Sequence, residues 1–528
     1  MCISGKSAVG GYQIDTRKVE TTDPAIPYSR MEVNISGVKY LGKVYTPKWI
    51  VDHMLRSLFN ESLKQVKVCD PACGEGDFLA PIVEEICRRI AGATPHEQAR
   101  LHATLEHITG YDVDDAAIRN CRQRLTKIVN RMLGWSWDDS RWCIRHADAL
   151  DAWRQDRGTF DWVVGNPPYV RIQHLEVERR KRIKSGGWKY FRGASDLYIV
   201  FFELGLHLLK DQGKLIFISP SGWLRNDAGK TLREDLEFNH GIHALYDFGD
   251  YQVFPGVSTY TCISHICKGY PGEETAVYRY IGERFIGSYS LVQSNSGWAV
   301  MDPASVRLKP TTATKLRDIA DIHVGIQTLA DKVFILEVVE QNEEFVMVQV
   351  DGKRFPIENK AVRRILKASV MKRGQDKIER VVIYPYDRKG KLLPEGTFKD
   401  RFPLAYAWLL DNKARLLARD KGTFNPEKWF GFGREVGIRS ALGDKILTSG
   451  MNPSPNFQVC EDPDALFYSG YCIKPRLDID LGVLARELNS PAMAAHVQAF
   501  AQPFRGGWYS YAKRYIQDFP VSPNLVHV

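Results

Sequence analysis

Behind the apolar run Phe160-Asp161-Trp162-Val163-Val164-Gly165 the chain reads Asn166-Pro167-Pro168-Tyr169. A buried strand must stop here, because proline has no N–H to give to a neighbouring strand. What it leaves is a rigid backbone corner carrying one amide and one aromatic ring. These groups suit an exocyclic amine on a planar base, whose lone pair is delocalised into the ring and reacts poorly. Two acceptors, one on each N–H, would draw that nitrogen toward tetrahedral geometry and localise the pair. The Asn166 side-chain oxygen supplies one and the Pro167 main-chain carbonyl the other, held still by fixed proline dihedrals. Pro168 adds no competing N–H, and Tyr169 offers a ring for the base to stack on. A plain proline-rich strand exit is the alternative, and it leaves the flanking Asn and Tyr unexplained.

Three other strand ends carry acids. The stretch VCDPACGEGDF (68–78) reads as strand, carboxylate, glycine turn and helix start. Its glycines, Gly74 and Gly76, let backbone approach a ligand closely. A dinucleotide fingerprint needs a third glycine at position 79, where leucine stands, so a nicotinamide or flavin dehydrogenase is disfavoured. Asp70 would repel a pyrophosphate but suits a positive centre, such as an ammonium or a sulfonium. Asp112 ends the second strand, where a carboxylate commonly accepts the ribose hydroxyls of an adenosine. Asp114 or Asp115 then caps the next helix. Asp148 ends the third strand as an acceptor for an adenine amino group, or else as an exposed loop acid.

The elements that must position these groups alternate. Residues 66–73, 107–114, 141–150, 161–169, 213–224, 242–251 and 259–267 read as strands, and 76–90, 114–133 and 195–209 as helices. Near-continuous apolar strands between helices predict an α/β domain, a parallel sheet covered on both faces, over residues 41–270. Ligands of such sheets sit beyond the C-terminal strand ends, where all four motifs fall. Residues 1–40 read as a loose arm, 271–310 as a connection, and 311–528 as a second region. Within it, residues 351–440 hold 22 Lys+Arg against 11 Asp+Glu, interleaved with Phe355, Tyr384, Tyr386, Phe402, Trp408, Trp429, Phe430 and Phe432. That pattern suits either a nucleic-acid surface or a solvated positive face around a normal core. Residues 171–193 carry eight Lys/Arg against two Glu and paired glycines, and read as a mobile loop gripping backbone phosphates, or else as a purely solvated loop.

The whole chain, 528 residues with a net charge of +9, is long enough for two or three domains and mildly basic. Ten cysteines form no Cys-x-x-Cys pair; several sit inside apolar runs (Cys69, Cys143 and Cys262) and read as buried thiols of a reducing cytosol, and neither the cysteines nor the histidines have metal-ligand spacing. The N-terminal stretch has no apolar signal-peptide core. The longest apolar run, 197–209, contains Glu203 and His207 and is too short for a bilayer.

Taken together, these motifs resemble the gamma-class DNA adenine-N6 methyltransferases of type II restriction-modification systems. The order matches: KVYTPKWIVDHM (43–54), then the glycine turn, then Asn-Pro-Pro-Tyr, then a C-terminal recognition region. The resemblance covers residues 40–270 and continues in HVGIQTLADKVFIL (323–336), WFGFGRE (429–435) and LNSPAMAAHVQAFAQPFRGGWYSYAKRYIQDFPV (488–521). It implies a Rossmann-like S-adenosylmethionine-dependent methyltransferase sheet with an α+β target-recognition domain over 311–528. Tyr45, Thr46 and Pro47 would border the methionine end of the cofactor, and Asp70, Ala72 and Gly74 would cradle it. Asp112 would hold its ribose and Asp148 its adenine. Asn166, Pro167, Pro168 and Tyr169 would hold the target adenine, flipped out of double-stranded DNA. Arg171, Lys189 and Arg434 are expected on the DNA. Asp196 and Tyr198 match the helix after the catalytic strand, with a core or cap role as the alternative. Phe254 and Tyr260 are offered as a second ring against the flipped base, since Ile266 stands where the family has an aromatic. The implied protein is a cytoplasmic monomer with a separately encoded endonuclease as partner. An RNA adenine methyltransferase and a catalytically silent DNA-binding regulator are the alternatives.

Overall fold

The computed structural model describes residues 46–528 apart from 64, 193–194, 255–258, 271–274, 295–296, 302–313, 370–378, 461, 502, 505, 523–524 and 526–528. The expected arm over 1–40 lies outside the described residues. Each of the seven expected strand stretches overlaps a strand: β1 (Val68–Asp70), β2 (Ile108–Asp112), β3 (Cys143–His146), β4 (Phe160–Gly165), β5 (Leu209–Pro220), β6 (His240–Asp247) and β7 (Thr261–Lys268). They lie side by side as β3-β2-β1-β4-β5-β7-β6. The chain starts at β1, builds outward through β2 and β3, then returns to the other side of β1 with β4. The C-terminal ends of β1 and β4 therefore flank the crevice where such sheets bind ligands.

Six helices matter here: α1 (Lys48–Phe59), α2 (Leu79–Ala91), α3 (Pro95–Glu106), α4 (Asp115–Leu133), α5 (Val177–Ser185) and α6 (Leu197–Leu208). In α1 the buried residues Ile50, Val51, Met54, Leu55 and Leu58 recur at helical spacing. Asp114 caps α4, its carboxylate accepting from the N–H groups of Ala116 and Ala117, and Gly134 ends it at φ +68°. Burial on almost every side of α6, with only His207 less than buried, explains its long apolar run. Each fully buried Leu, Ile, Val or Phe there contributes about 1.5–3 kcal/mol relative to an exposed one. Val68, Trp162, Val164, Ile216 and Ile218 pack with α1, α2 and α4 on one face of the sheet. Cys69, Val163, Leu215 and Phe217 pack with α6 on the other. Adjacent strand residues thus feed opposite cores, which is why the strands are apolar throughout.

Three expectations need correction. The sheet is mixed: β1 to β5 run parallel, but β7 is antiparallel to both β5 and β6. Residues 248–260, between β6 and β7, carry no described helix, and without a crossover the chain reverses on itself. Second, the stretch 271–310 adds strands β8 (Ala276–Ile281), β9 (Arg284–Ser294) and β10 (Gly297–Met301), extending the sheet beside β6 to ten strands. Third, residues 171–192, the described part of the expected loop, are anchored. They contain α5, bury Ile172, Ile183, Trp188 and Tyr190, and tie the N–H groups of Lys189 and Tyr190 to the buried carboxylate of Glu203 at 2.9 and 2.8 Å.

The C-terminal half is α+β. It holds a six-stranded sheet that includes Ile335–Gln341 and Phe345–Val350, a four-stranded sheet that includes Ala320–Val324 and Gly470–Pro475, a three-stranded sheet, and helices Leu481–Leu488 and Pro491–Phe500. The basic-aromatic stretch 351–440 divides cleanly. Tyr384, Tyr386, Phe402, Trp429, Phe430 and Phe432 are core residues, and Phe355 stacks on Trp408 with centroids 4.4 Å apart, while Lys353, Lys360, Arg388, Lys391 and Arg401 face solvent. Most of the rings build the core, and most of the described cations, Arg419 apart, stand at the surface or half-buried.

Candidate active site

The turn after β1 is stitched to β2 by backbone. Cys73 N–H donates to the Tyr111 carbonyl (2.9 Å), and Gly74 N–H donates to Asp112 Oδ2 (2.9 Å). Gly74 takes φ +50°, and a Cβ built on it would meet nothing within 4 Å, so its backbone faces open space. The other Asp112 oxygen accepts from Asp114 N–H at 2.8 Å, so this carboxylate joins the glycine turn to the start of α4.

Asp70 closes β1 in full burial, 1% exposed. Its Oδ1 accepts from Ala72 N–H at 3.0 Å, and its Oδ2 has no hydrogen-bond partner among the described residues. Burial pushes the carboxyl up to about 8, helped by the nearby charges of Asp112 and Asp77 and opposed by the Ala72 N–H. Gly165 makes room for it, since a Cβ there would stand 2.6 Å from Asp70 Oδ1. The ends of β1 and β4 can touch only because one of them is glycine.

At the end of β4, Asn166 Nδ2 donates to Thr46 Oγ1 at 3.1 Å. Thr46 and Pro47 precede α1, whose first turn hangs on the Pro47 carbonyl through the N–H groups of Ile50 (3.0 Å) and Val51 (3.2 Å). The Tyr169 hydroxyl donates to the Ile218 carbonyl at 3.2 Å, and its ring meets Phe254 edge-on at 5.9 Å and Tyr198 at 6.4 Å. Burial pushes the Tyr169 phenol well above its ordinary range. The corner therefore presents an oriented amide and a ring fixed at its far end, next to an unpaired buried acid.

Of the residues singled out in the sequence, Thr46, Asp70, Ala72, Gly74, Asp112 and Asn166 to Tyr169 converge on the β1 and β4 ends or on groups bonded to them. Asp148 is engaged elsewhere. It caps the short helix Ala149–Ala152 through Leu150 N–H (3.2 Å), and its Oδ2 accepts from Arg179 Nε of α5 at 2.8 Å. Arg182 stands 3.5 Å from Asp151 one turn further on. Sequence reasoning missed this pairing, because it joins two elements 31 residues apart that only the fold brings together. Asp196 precedes α6 3.9 Å from the exposed Arg171, and Tyr198 is core. The Lys189 side chain is exposed. Tyr260 packs edge-on against Phe504 of the C-terminal half at 6.4 Å, whereas Phe254 is the ring beside Tyr169. Ile266 is buried between strands β5 and β6. Arg434 forms a two-pronged pair with Asp420 in the C-terminal half. Tyr45 lies outside the described residues.

Residues 90–254 match the model of the Eco57I restriction-modification methylase family. The type II restriction enzyme and methyltransferase RM.Eco57I of Escherichia coli is 24% identical over 77% of this chain, which spans about half (49%) of that protein. The type II methyltransferase M.XhoI of Xanthomonas vasicola is 23% identical over 91% of this chain and 90% of its own length. M.BstVI of Geobacillus stearothermophilus is 24% identical over 90% and 89%. In fold, the chain is similar to the type IIL restriction-modification enzyme MmeI, solved in complex with DNA, with TM-score 0.58 at 14% identity over 89% of this chain and 65% of that one. The chain is thus similar over most of its length to type II methyltransferases, and its residues 90–254, which include strands of the large sheet, match the Eco57I restriction-modification methylase family model.

Proposed function

We propose that the chain transfers a methyl group from S-adenosylmethionine to N6 of an adenine flipped out of double-stranded DNA, at a specific sequence, as the modification enzyme of a restriction-modification system. The observation that carries this reading is the oriented Asn166–Tyr169 corner standing beside the buried, half-unpaired carboxylate of Asp70. The cofactor fits the residues present. A buried acid without a partner on one oxygen calls for a cation, and the backbone at Gly74 faces open space. Asp70, Ala72, Gly74 and Asp112 would hold it, and bound there it supplies an electrophilic methyl group on a positively charged sulfur. Asp148 would serve its adenine once Arg179 lets go.

The chain's own residues do the rest by position. The Asn166 side-chain oxygen and the Pro167 carbonyl would each accept a hydrogen bond from one N6–H and localise the nitrogen lone pair. Thr46 holds the amide's NH₂ end, which turns its oxygen toward the substrate. Tyr169 stacks the base, with Phe254 supporting the ring edge-on. No strong base is required, because attack leaves N6 positively charged and acidic, and its extra proton passes to water. Extruding the base costs a few kcal/mol of unstacking. The exposed cations of 351–440 and Arg171, Lys189 and Arg434 would meet phosphates. Relatives named as methyltransferases alone align along nine tenths of both chains, which favours a separately encoded nuclease; a cytoplasmic monomer is proposed with it.

The test is single-molecule sequencing of DNA from a methylation-free host expressing the chain, beside Asn166→Ala. A short motif carrying N6-methyladenine in the first and none in the second is expected. Methylated cytosine would show the corner to be misread, and unmodified DNA from a soluble, cofactor-binding protein would move the substrate to RNA.

A further inference from the structure

The loop Gly325–Ala330 of the C-terminal half is built to a higher standard than a connection needs. Thr328 is fully buried, and its carbonyl accepts from Gly433 N–H and from Arg419 Nη1, each at 3.0 Å. Its hydroxyl bonds Asp331. Arg419 is itself 5% exposed and binds no carboxylate among the described residues. It donates instead to four carbonyls, those of Leu416 (2.7 Å), Thr328 (3.0 Å), Gly431 (2.9 Å) and Trp429 (2.6 Å), with its guanidinium 4.0 Å over the Phe424 ring. Next to the buried Thr328 stands Leu329 at φ +55°, a conformation that a bulky residue adopts only under constraint. It lies over Gly433, where any Cβ would come within 2.4 Å of it, and yet remains 43% exposed. A rigid platform thus lifts two side chains, Gln327 and Leu329, into solvent.

Their surroundings point to a polyanion with readable edges. The loop lines an open groove of about 680 Å³, to which the exposed Lys332 and Arg415 also contribute. Gln327 pairs across a β-bridge with Arg434, whose guanidinium is held two-pronged by Asp420 and therefore oriented. An exposed Gln carries the donor and acceptor that read base edges, matching the adenine N6/N7 pair, and the oriented Arg434 beside it offers a phosphate contact. The groove is also connected to the catalytic half. Gly450 lines it, the adjoining Met451 pairs with Ser510, Trp508 pairs with Phe504, and Phe504 meets Tyr260 at 6.4 Å.

We propose that Gln327 is a base-reading residue of this protein, contacting one base pair of the recognition sequence from the groove, and that Arg415 is one of the phosphate contacts that seat the duplex there. The inference rests on the DNA reading given above. Both side chains are exposed, so Gln327→Ala and Arg415→Ala should unfold with the wild-type midpoint, which is checked first. The methylated motif is then read by single-molecule sequencing, and duplex binding is measured against salt with the full chain. Gln327→Ala should lose discrimination at one position of the motif by roughly 10- to 100-fold, the range a good side-chain–base pairing provides. Arg415→Ala should weaken binding equally on all sequences and lower the slope of log K against log salt by about 1. A Gln327→Ala protein that marks the same motif with every position as strict as before would overturn the assignment while leaving the methyltransferase reading intact. An unchanged salt slope would remove Arg415 from the interface. Wild-type protein that methylates no DNA would sink the parent reading and this one with it.

Discussion

Replacing Asp70 by Asn should make the protein more stable and a worse cofactor binder, and the pH dependence is the sharper half of that statement. The Asp70 carboxyl has an ordinary value of 3.8 and is pushed up to about 8 in the folded chain, chiefly by burial. A carboxyl shifted upward on folding holds an extra proton in the native state between those two values. Stability is therefore intact below pH 3.8, falls as the pH rises, and stops falling above about 8. At pH 7 the lost stability is about 4 kcal/mol, three decades of proton concentration at 1.36 kcal/mol each. Asparagine keeps the shape without a proton to recruit. Its second N–H has nothing to bond at the Oδ2 position, which costs about 1–3 kcal/mol, so a net gain of about 1–3 kcal/mol at pH 7 remains. Denaturant unfolding of both proteins between pH 5 and 9, followed by tryptophan fluorescence, reads this directly. The gap should widen by about 1.4 kcal/mol per pH unit up to pH 8 and then level off. A gap that does not change with pH would refute the buried, protonated carboxyl, whatever its size. On the proposed function the same acid must ionise to accept a cation. Calorimetry in buffers of different ionisation heat should then show S-adenosylmethionine binding release about one proton at pH 7 in the wild type and none in Asp70→Asn.

The Thr46 hydroxyl orients the Asn166 amide, so Thr46→Val should lower kcat about tenfold, the loss of one neutral hydrogen bond, with KM for DNA little changed. Thr46→Ser keeps the hydroxyl and should restore most of the rate; equal defects in both variants would show that packing, not the hydrogen bond, is what Thr46 contributes. Arg419→Met strands four buried carbonyls and should destabilise the C-terminal half by about 3–5 kcal/mol, read as an earlier denaturant transition. A change below 1 kcal/mol would mean that water replaces the guanidinium at no cost.

The residues that declared themselves in sequence were those with local consequences. Glycine at 74, proline at 167 and 168, Asp114 before a helical run and the unbroken apolar strands each act within a few residues of themselves. The α/β class, the glycine turn, the cap and the strand-end corner were legible for that reason. The direction of β7 depends on which neighbours it joins, and the extension through β8 to β10 depends on an edge that only the folded sheet offers. Thr46 meets Asn166 across 120 residues, and Arg179 reaches Asp148 across 31, by contacts that no local pattern encodes. The rings of 351–440 have the composition of a nucleic-acid surface, yet six of them went into the core, because burial of an aromatic ring is settled by what packs against it. Composition set which groups were available, and tertiary packing decided which of them face the solvent and which hold the site in place.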